Sequence, residues 1–367
     1  MKKIRLIGIA LLGAVWLTLA AFAWFGPARD SSDAERRKLA QFPELSGKTV
    51  LSGTFMTRFE EYTLDQFPLR DTFQQLKAQV HYNWFGQLDN HGIYITGDTA
   101  AQLEYPLNET SVNHALQKFN RIYDKYLKDS GGSVVFSVAP DKGYYLAEAN
   151  GYPAMDYEAL FDAVREGMPW AEIVDLTDLL TAEDYYRTDT HWRQERLMDV
   201  AQRLCEALGA EIPKDGDYTA EAVERPFYGV YYGQAAVPMD PDEIILLRNE
   251  ILDRCTVFNH ETGKTAAVYD LEKLTGRDLY DVYLSGASAL LTIENPNASS
   301  DRELLVFRDS FGSSLAPLLM SEYKTVTLID IRYIATDMLD QFVDFHGQDV
   351  LFLYSTLVLN DSGTLKS

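Results

Sequence analysis

Short apolar runs, each closed by a polar turn, set the terms on which this chain folds. "SVVFSVAP" (Ser133–Pro140) and "ELLVFRDS" (Glu303–Ser310) are too continuously apolar for strands with one wet face. Such runs read as strands covered on both sides, the condition of a parallel sheet. "KTVTLIDI" (Lys324–Ile331) and "DVLFLYST" (Asp349–Thr356) read as further strands. Between the runs stand helical patterns. "SVNHALQKFNRIYDKYLKDSGG" is amphipathic and stops at a double glycine, "DYEALFDAVREG" and "RQERLMDVAQRLCEALGA" follow, and "MLDQFVDFHG" comes late. Strand alternating with helix is the signature of an α/β domain.

Two regions depart from that alternation. "HGIYITGDTAAQLEY" reads as a hairpin turning at Gly97-Asp98. Residues 215–297 carry strand-like pieces such as "YGVYYGQAA", "IILL", "CTVFNH" and "AAVYDL" with fewer helices, and read as a β-rich insertion.

The N-terminus is of another kind. After "MKKIR" the chain runs uncharged from Leu6 to Gly26, close to the ~20 apolar residues that cross a bilayer as a helix. Basic residues before the run place the N-terminus in the cytoplasm and the rest outside. We read it as an uncleaved signal anchor over residues 1–27. A cleaved signal, with "AAFA" as its site and a secreted product, stays open. Residues 28–50 are polar and charged, as a juxtamembrane linker is, and residues 51–367 form the folded domain.

The whole chain has a formal net charge of -22 and a pI near 4.6. Such a chain repels nucleic acid and anionic surfaces and suits a neutral substrate. Cys205 and Cys255 stand in no metal spacing, and sequence leaves open whether they pair. The six histidines include no ligand-like pair, and there is neither a P-loop nor a dinucleotide fingerprint. We expect no metal and no cofactor.

Two motifs carry chemistry. In "LLVFRDSFGSS", Ser310 stands at the carboxyl end of a strand and before a helix, where open α/β sheets bind ligands. Taken alone, Asp309 or Ser310 reads as a helix cap. In "YYRTDTHWRQE", Asp189 and His191 are two apart, so an extended loop points both to one side. Taken alone this is a turn before a helix. Together each supplies what the other lacks. A serine hydroxyl is a poor nucleophile until a base takes its proton, and a histidine base needs an acid to hold its tautomer. Trp192 stands ready to exclude water or stack on a sugar. Lys142 and Tyr144 in "VAPDKGYY", Tyr283 in "YDVYLSG", Arg308 and Arg332 are further candidates to line the site.

"TDTHW" upstream of "RDSFGSSLAPLL" resembles the DHHW protein family and the alginate O-acetylation proteins, whose domain is SGNH-hydrolase-like. "ERRKLAQFPELS", "FEEYTLDQFPLRDTF", "HGIYI", "YDVYLSG" and "IDIRYI" extend the resemblance over nearly all the chain after the apolar run. It implies an SGNH-hydrolase-like parallel sheet flanked by helices. It also implies a serine-dependent acyl transfer outside the cytoplasm, with Ser310 as nucleophile, His191 as base and Asp189 as its partner. The partners implied are a cell-surface polysaccharide and a membrane-bound O-acyltransferase. Thr190 stands where the name motif has histidine. Arg308 stands where SGNH enzymes have glycine, and the His motif precedes the Ser motif, a permuted order. The competing reading is a non-catalytic carbohydrate-binding or assembly protein, since 22 tyrosines and five tryptophans also suit sugar stacking.

Overall fold

The computed structural model describes residues 2–32, 37–211 and 213–366. Part of the linker, residues 33–36, lies outside the described residues. The chain divides into two compact units.

The first unit comprises the chain through His91 together with Tyr232–Pro238. It begins with helix α1 (Lys2–Phe25), whose Arg5–Ala23 stretch is long and apolar enough to cross a membrane. A two-residue pairing of β1 (Ser31–Ser32) with β2 (Arg37–Lys38) follows. Helices α2 (Gly47–Leu51), α3 (Thr54–Asp65) and α4 (Arg70–Asn83) complete it. Pro68 separates α3 from α4, as its missing N–H requires. Phe42 sits edge-on to Phe55, Phe59 and Tyr62, and Arg37 grips the Asp65 carboxylate with both terminal nitrogens.

The second unit holds the α/β domain. Hairpin β3 (Ile93–Thr96) and β4 (Thr99–Gln102) turns at Gly97, which takes the positive φ of 59° that glycine accepts without strain. Next come α5 (Glu109–Ile122), β5 (Val134–Ala139), α6 (Lys142–Leu146), α7 (Tyr157–Gly167), β6 (Glu172–Val174) and α8 (Met198–Ala207). β7 (Thr219–Ala222) precedes α9 (Val230–Ala235), which runs from the second unit into the first, and pairs with β8 (Ile245–Arg248). β9 (Thr256–Asn259), β10 (Lys264–Ala267), β11 (Leu290–Glu294), β12 (Glu303–Arg308), α10 (Gly312–Leu315), β13 (Thr325–Ile329), β14 (Asp349–Ser355) and α11 (Thr356–Asn360) complete the fold.

Eight strands form one sheet in the order β10-β9-β11-β13-β12-β14-β5-β6. From β13 to β6 every neighbour is parallel, and β11, β9 and β10 add an antiparallel wing. The wing strands come from residues 215–297, so this region extends the main sheet as well as forming the separate β7–β8 ribbon. The four apolar runs are β5, β12, β13 and β14. Side chains alternate across a strand, so each run feeds two cores. Leu304, Val306, Leu351 and Leu353 pack on one face of the sheet, and Leu305, Phe307, Val350 and Phe352 on the other. Phe307 stacks on Phe352 at 4.6 Å, and Phe352 lies beside Phe136 at 5.9 Å.

Two local expectations are corrected. "YGVYYGQAA" is helical from Val230, because Gly229 and Val230 send their N–H groups to Thr188 Oγ1 and Asp189 Oδ2 instead of a strand partner. "MLDQFVDFHG" yields only a 3-10 turn, Thr336–Gln341. There the Thr336 and Asp337 carbonyls accept from Tyr126 Oη and Lys125 Nζ, which diverts them from α-helical bonding. Cys205 and Cys255 are both free and buried, and burial lifts their thiols to about 12 and about 11.

Candidate active site

The five parallel strands deliver their carboxyl ends to one edge of the sheet, and β12 ends at Arg308. Asp309 then makes the turn. Its carboxylate accepts from the Phe311 N–H at 3.0 Å and from the Ser355 N–H at 2.7 Å, so the turn is tied to the end of β14. Ser310 follows, partly exposed, immediately before α10. Gly312 is required here, since a Cβ on it would meet Arg308 Cβ at 2.8 Å.

The second motif arrives after β6. Residues 184–193 fold back on themselves: Tyr185 bridges Trp192, and the Arg193 N–H donates to the Asp184 carbonyl at 2.8 Å. The Asp189-Thr190-His191 turn lies at the tip. Asp189 is fully buried, and its Oδ1 accepts from His191 Nδ1 at 2.6 Å and from the His191 N–H at 3.2 Å. Its Oδ2 accepts from the Val230 N–H at 2.8 Å. A carboxylate only accepts, so the ring proton sits on Nδ1 and Nε2 is left as an acceptor. Ser310 Oγ lies 2.8 Å from that Nε2. Asp189, His191 and Ser310 thus form one continuous relay, though 119 residues separate the last two.

The loop is fastened to the serine turn at several points. The Trp192 indole N–H donates to the Phe311 carbonyl at 3.0 Å and to Ser314 Oγ at 3.1 Å. Gln194 donates to the Ser314 carbonyl at 2.8 Å and accepts from the Leu247 N–H. On the far side, Thr188 and Arg187 hold the Asp242 carboxylate. Thr190 Oγ1 accepts from Tyr231 Oη at 3.0 Å, which gives the residue at that motif position a local partner.

The remaining candidates take other places. Trp192 is buried with no face open to a sugar; its indole is the bolt between loop and turn. Lys142 is 2 % exposed and donates to the carbonyls of Ala100, Tyr186 and Arg187. Burial pushes its ammonium down to about 7, opposed by the charges of Asp189, Asp242 and Asp141. Tyr283 is buried, its hydroxyl facing the Ile245 carbonyl. Arg308 is 1 % exposed, and its Nη1 donates to Ser313 Oγ and to the Asp309 carbonyl. Arg332 pairs with Asp330 at 2.6 Å. Of this group Tyr144 alone is well exposed, at 37 %, packed edge-on to Tyr145 and Tyr157. Trp192, Lys142, Tyr283 and Arg308 are thus all buried, and the Arg308 Nε and Nη2 atoms have no hydrogen-bond partner among the described residues.

Sequence reasoning passed over Tyr280. Its ring lies against the His191 imidazole, centroids 3.8 Å apart, and its hydroxyl donates to Ser314 Oγ at 2.9 Å. The motif "YDVYLSG" pointed to the right segment, a 3-10 turn over Leu279–Val282. Only the fold shows which of its tyrosines faces the histidine. Gly229 was also missed. A Cβ there would lie 2.2 Å from the Thr188 carbonyl oxygen and 2.3 Å from Asp189 Cβ. Among the described residues, the Ser310 N–H donates to no acceptor, and no cluster of His, Cys, Asp or Glu is arranged to hold a metal.

The sheet, the serine turn and the histidine loop define an α/β domain of the SGNH-hydrolase-like kind. Within that kind the chain is similar to a DHHW family protein from Eubacterium siraeum, at 21% identity and a TM-score of 0.60, covering 76% of this chain and 97% of that one. It is also similar to PatB1 of Bacillus cereus, at 18% identity and a TM-score of 0.61, covering 73% and 96%. At these identities the likeness is one of fold. No family model matches the chain. Among curated proteins it is similar to the probable alginate O-acetylase AlgJ of Pseudomonas syringae pv. tomato, 22% identical over 257 residues, or 65% of this chain. The match spans 62% of that relative, less than two thirds of its length. The resemblance to DHHW and alginate O-acetylation proteins read from the motifs is therefore met by independent comparison.

Proposed function

We propose that this chain is a serine-dependent O-acetyltransferase or acetylesterase that acts on a cell-surface polysaccharide. The observation that carries the reading is the Asp189–His191–Ser310 relay, with contacts of 2.6 and 2.8 Å. The similarity to a probable alginate O-acetylase supports the substrate class.

In this reading His191 Nε2 takes the Ser310 proton as Oγ bonds to the acetyl carbonyl carbon. The carbonyl π pair moves to oxygen, and the free Ser310 N–H is one donor to that oxyanion. Collapse expels the donor alkoxide, which leaves with the proton held by His191. The acetyl group now rests on Oγ. An incoming hydroxyl gives its proton to His191, attacks the acetyl carbon and releases Ser310, which recovers the proton. A sugar hydroxyl as acceptor makes the step a transfer, and water makes it hydrolysis. Asp189 keeps the Nδ1 proton in place and stabilises the imidazolium formed between the steps.

The same proposal covers the surroundings. Residues 1–27 act as a signal anchor, residues 28–50 as the linker, and 51–367 as the working domain outside the cytoplasm, with 215–297 as its β-rich addition. A membrane-bound O-acyltransferase is the expected acetyl source. The chemistry is tested with a chromogenic acetyl ester. Wild type should release chromophore with a burst that Ser310→Ala and His191→Ala abolish. Equal turnover in wild type and Ser310→Ala would sink the mechanism. The non-catalytic, carbohydrate-binding reading needs the histidine out of reach of the serine, and a 2.8 Å contact weighs against it.

A further inference from the structure

The first unit carries an apolar surface that the proposed chemistry does not use. Leu69, at the elbow between α3 and α4, is 66 % exposed and sits at φ 57°, a left-handed conformation costly for leucine. Phe73 and Leu76, three apart on one face of α4, are also exposed, and Leu69 precedes them at the helix N-cap. On the opposite face Ala78 is buried.

The elbow is fixed to the end of α1. The Arg29 N–H and carbonyl exchange hydrogen bonds with the Gln66 side chain, both at 2.8 Å, and Arg29 pairs with Asp71 at 3.2 Å. Phe22 of α1 lines one cleft of about 400 Å³ together with Phe67, Pro68 and Leu69. Phe22 stands one residue inside the end of the Arg5–Ala23 stretch. At a rise of about 1.5 Å per residue, it lies within a few ångströms of the hydrocarbon boundary when that stretch spans a bilayer. The elbow shares its level.

We propose that the Phe67–Leu69 elbow and the Phe73–Leu76 face of α4 lie in the outer headgroup layer of the bilayer that α1 spans. The partner is lipid, selected by continuity with the span: an apolar helix face at that depth buries itself roughly 5–10 Å into the interface. The inference rests on the proposed role of α1 as an anchor.

The test uses the full chain. Leu69→Cys and, separately, Phe73→Cys carry an NBD probe, the native cysteines being buried. The labelled proteins are reconstituted in phosphatidylcholine vesicles. The expected result is blue-shifted emission, strong quenching by lipids bearing a doxyl group near the headgroup, and little quenching by aqueous iodide. Iodide quenching without doxyl quenching at both positions would overturn the proposal. Shielding from both quenchers would overturn it too, pointing to a second copy or a protein partner. Alkaline carbonate extraction of the unlabelled chain separates the two levels. Release from the vesicles would overturn anchor and elbow together, whereas retention with water-exposed probes overturns the elbow alone.

Discussion

The imidazole of His191 and the phenol of Tyr280 lie face to face, 3.8 Å between centroids and 7° between planes. The contact fixes the ring that bridges Asp189 and Ser310, and the Tyr280 hydroxyl is in turn held by Ser314. Tyr280→Leu should lower kcat about 100-fold with a small change in KM, the scale of loss that follows a misplacement of about 1 Å. Tyr280→Phe keeps the stack and should retain most activity. Steady-state kinetics with a chromogenic acetyl ester decides both.

Asp189→Asn should reduce kcat by about 10⁴, because an amide can donate to Nδ1 and so favours the wrong tautomer. Circular dichroism should show the fold retained. A loss of less than about tenfold would remove Asp189 from the relay.

Gly229→Ala should mimic part of that loss without touching a reacting group. Its Cβ has no room beside Asp189, so the 229–230 segment must retreat and the Val230 N–H must release Asp189 Oδ2. That leaves a buried carboxylate short of one donor, at a cost of about 1–3 kcal/mol. The pH profile of kcat should shift while KM stays near wild type. A profile that does not move would show the segment to be a spacer only.

Lys142 sets a pH dependence of stability. Its ammonium falls from an ordinary 10.5 to about 7 through burial, with nearby carboxylates opposing. Between those values the unfolded chain holds a proton that the folded chain has lost, so stability rises with pH from about 7 toward 10.5. Below pH 7 both states are protonated and the contribution is flat. Urea denaturation across this range, compared with Lys142→Met, should show the rise in wild type and its absence in the variant.

Phe352→Ala removes the ring around which Phe136, Phe307 and Phe119 gather. A loss of about 3–5 kcal/mol is expected in the urea midpoint. Activity per folded molecule should change little.

Much of this architecture is legible in residues 133–140, 303–310, 324–331 and 349–356. An apolar run too continuous for a one-faced strand announces a covered sheet, and a polar dipeptide at its end announces the ligand edge. The relay was legible for a related reason: Asp189 and His191 are near in sequence, and Ser310 supplies the one missing role. What stayed hidden depends on contacts between distant segments. Trp192, Lys142 and Arg308 look like exposed tools in sequence, because aromatic and cationic residues usually reach solvent. Here each finds carbonyl or hydroxyl partners that only the folded chain brings near. Tyr280 is hidden for the converse reason, since nothing in "YDVYLSG" distinguishes one tyrosine from the other.

The position of β14 carries a consequence for a truncated chain. It is the last strand in the chain, yet it lies between β12 and β5 in the sheet. Within the sheet, the strand that leads to Ser310 and the strands that precede the Asp189–His191 loop are joined only through residues 349–355. A chain truncated before β14 lacks the strand that joins β12 to β5, and on the proposed mechanism it should release no chromophore from an acetyl ester.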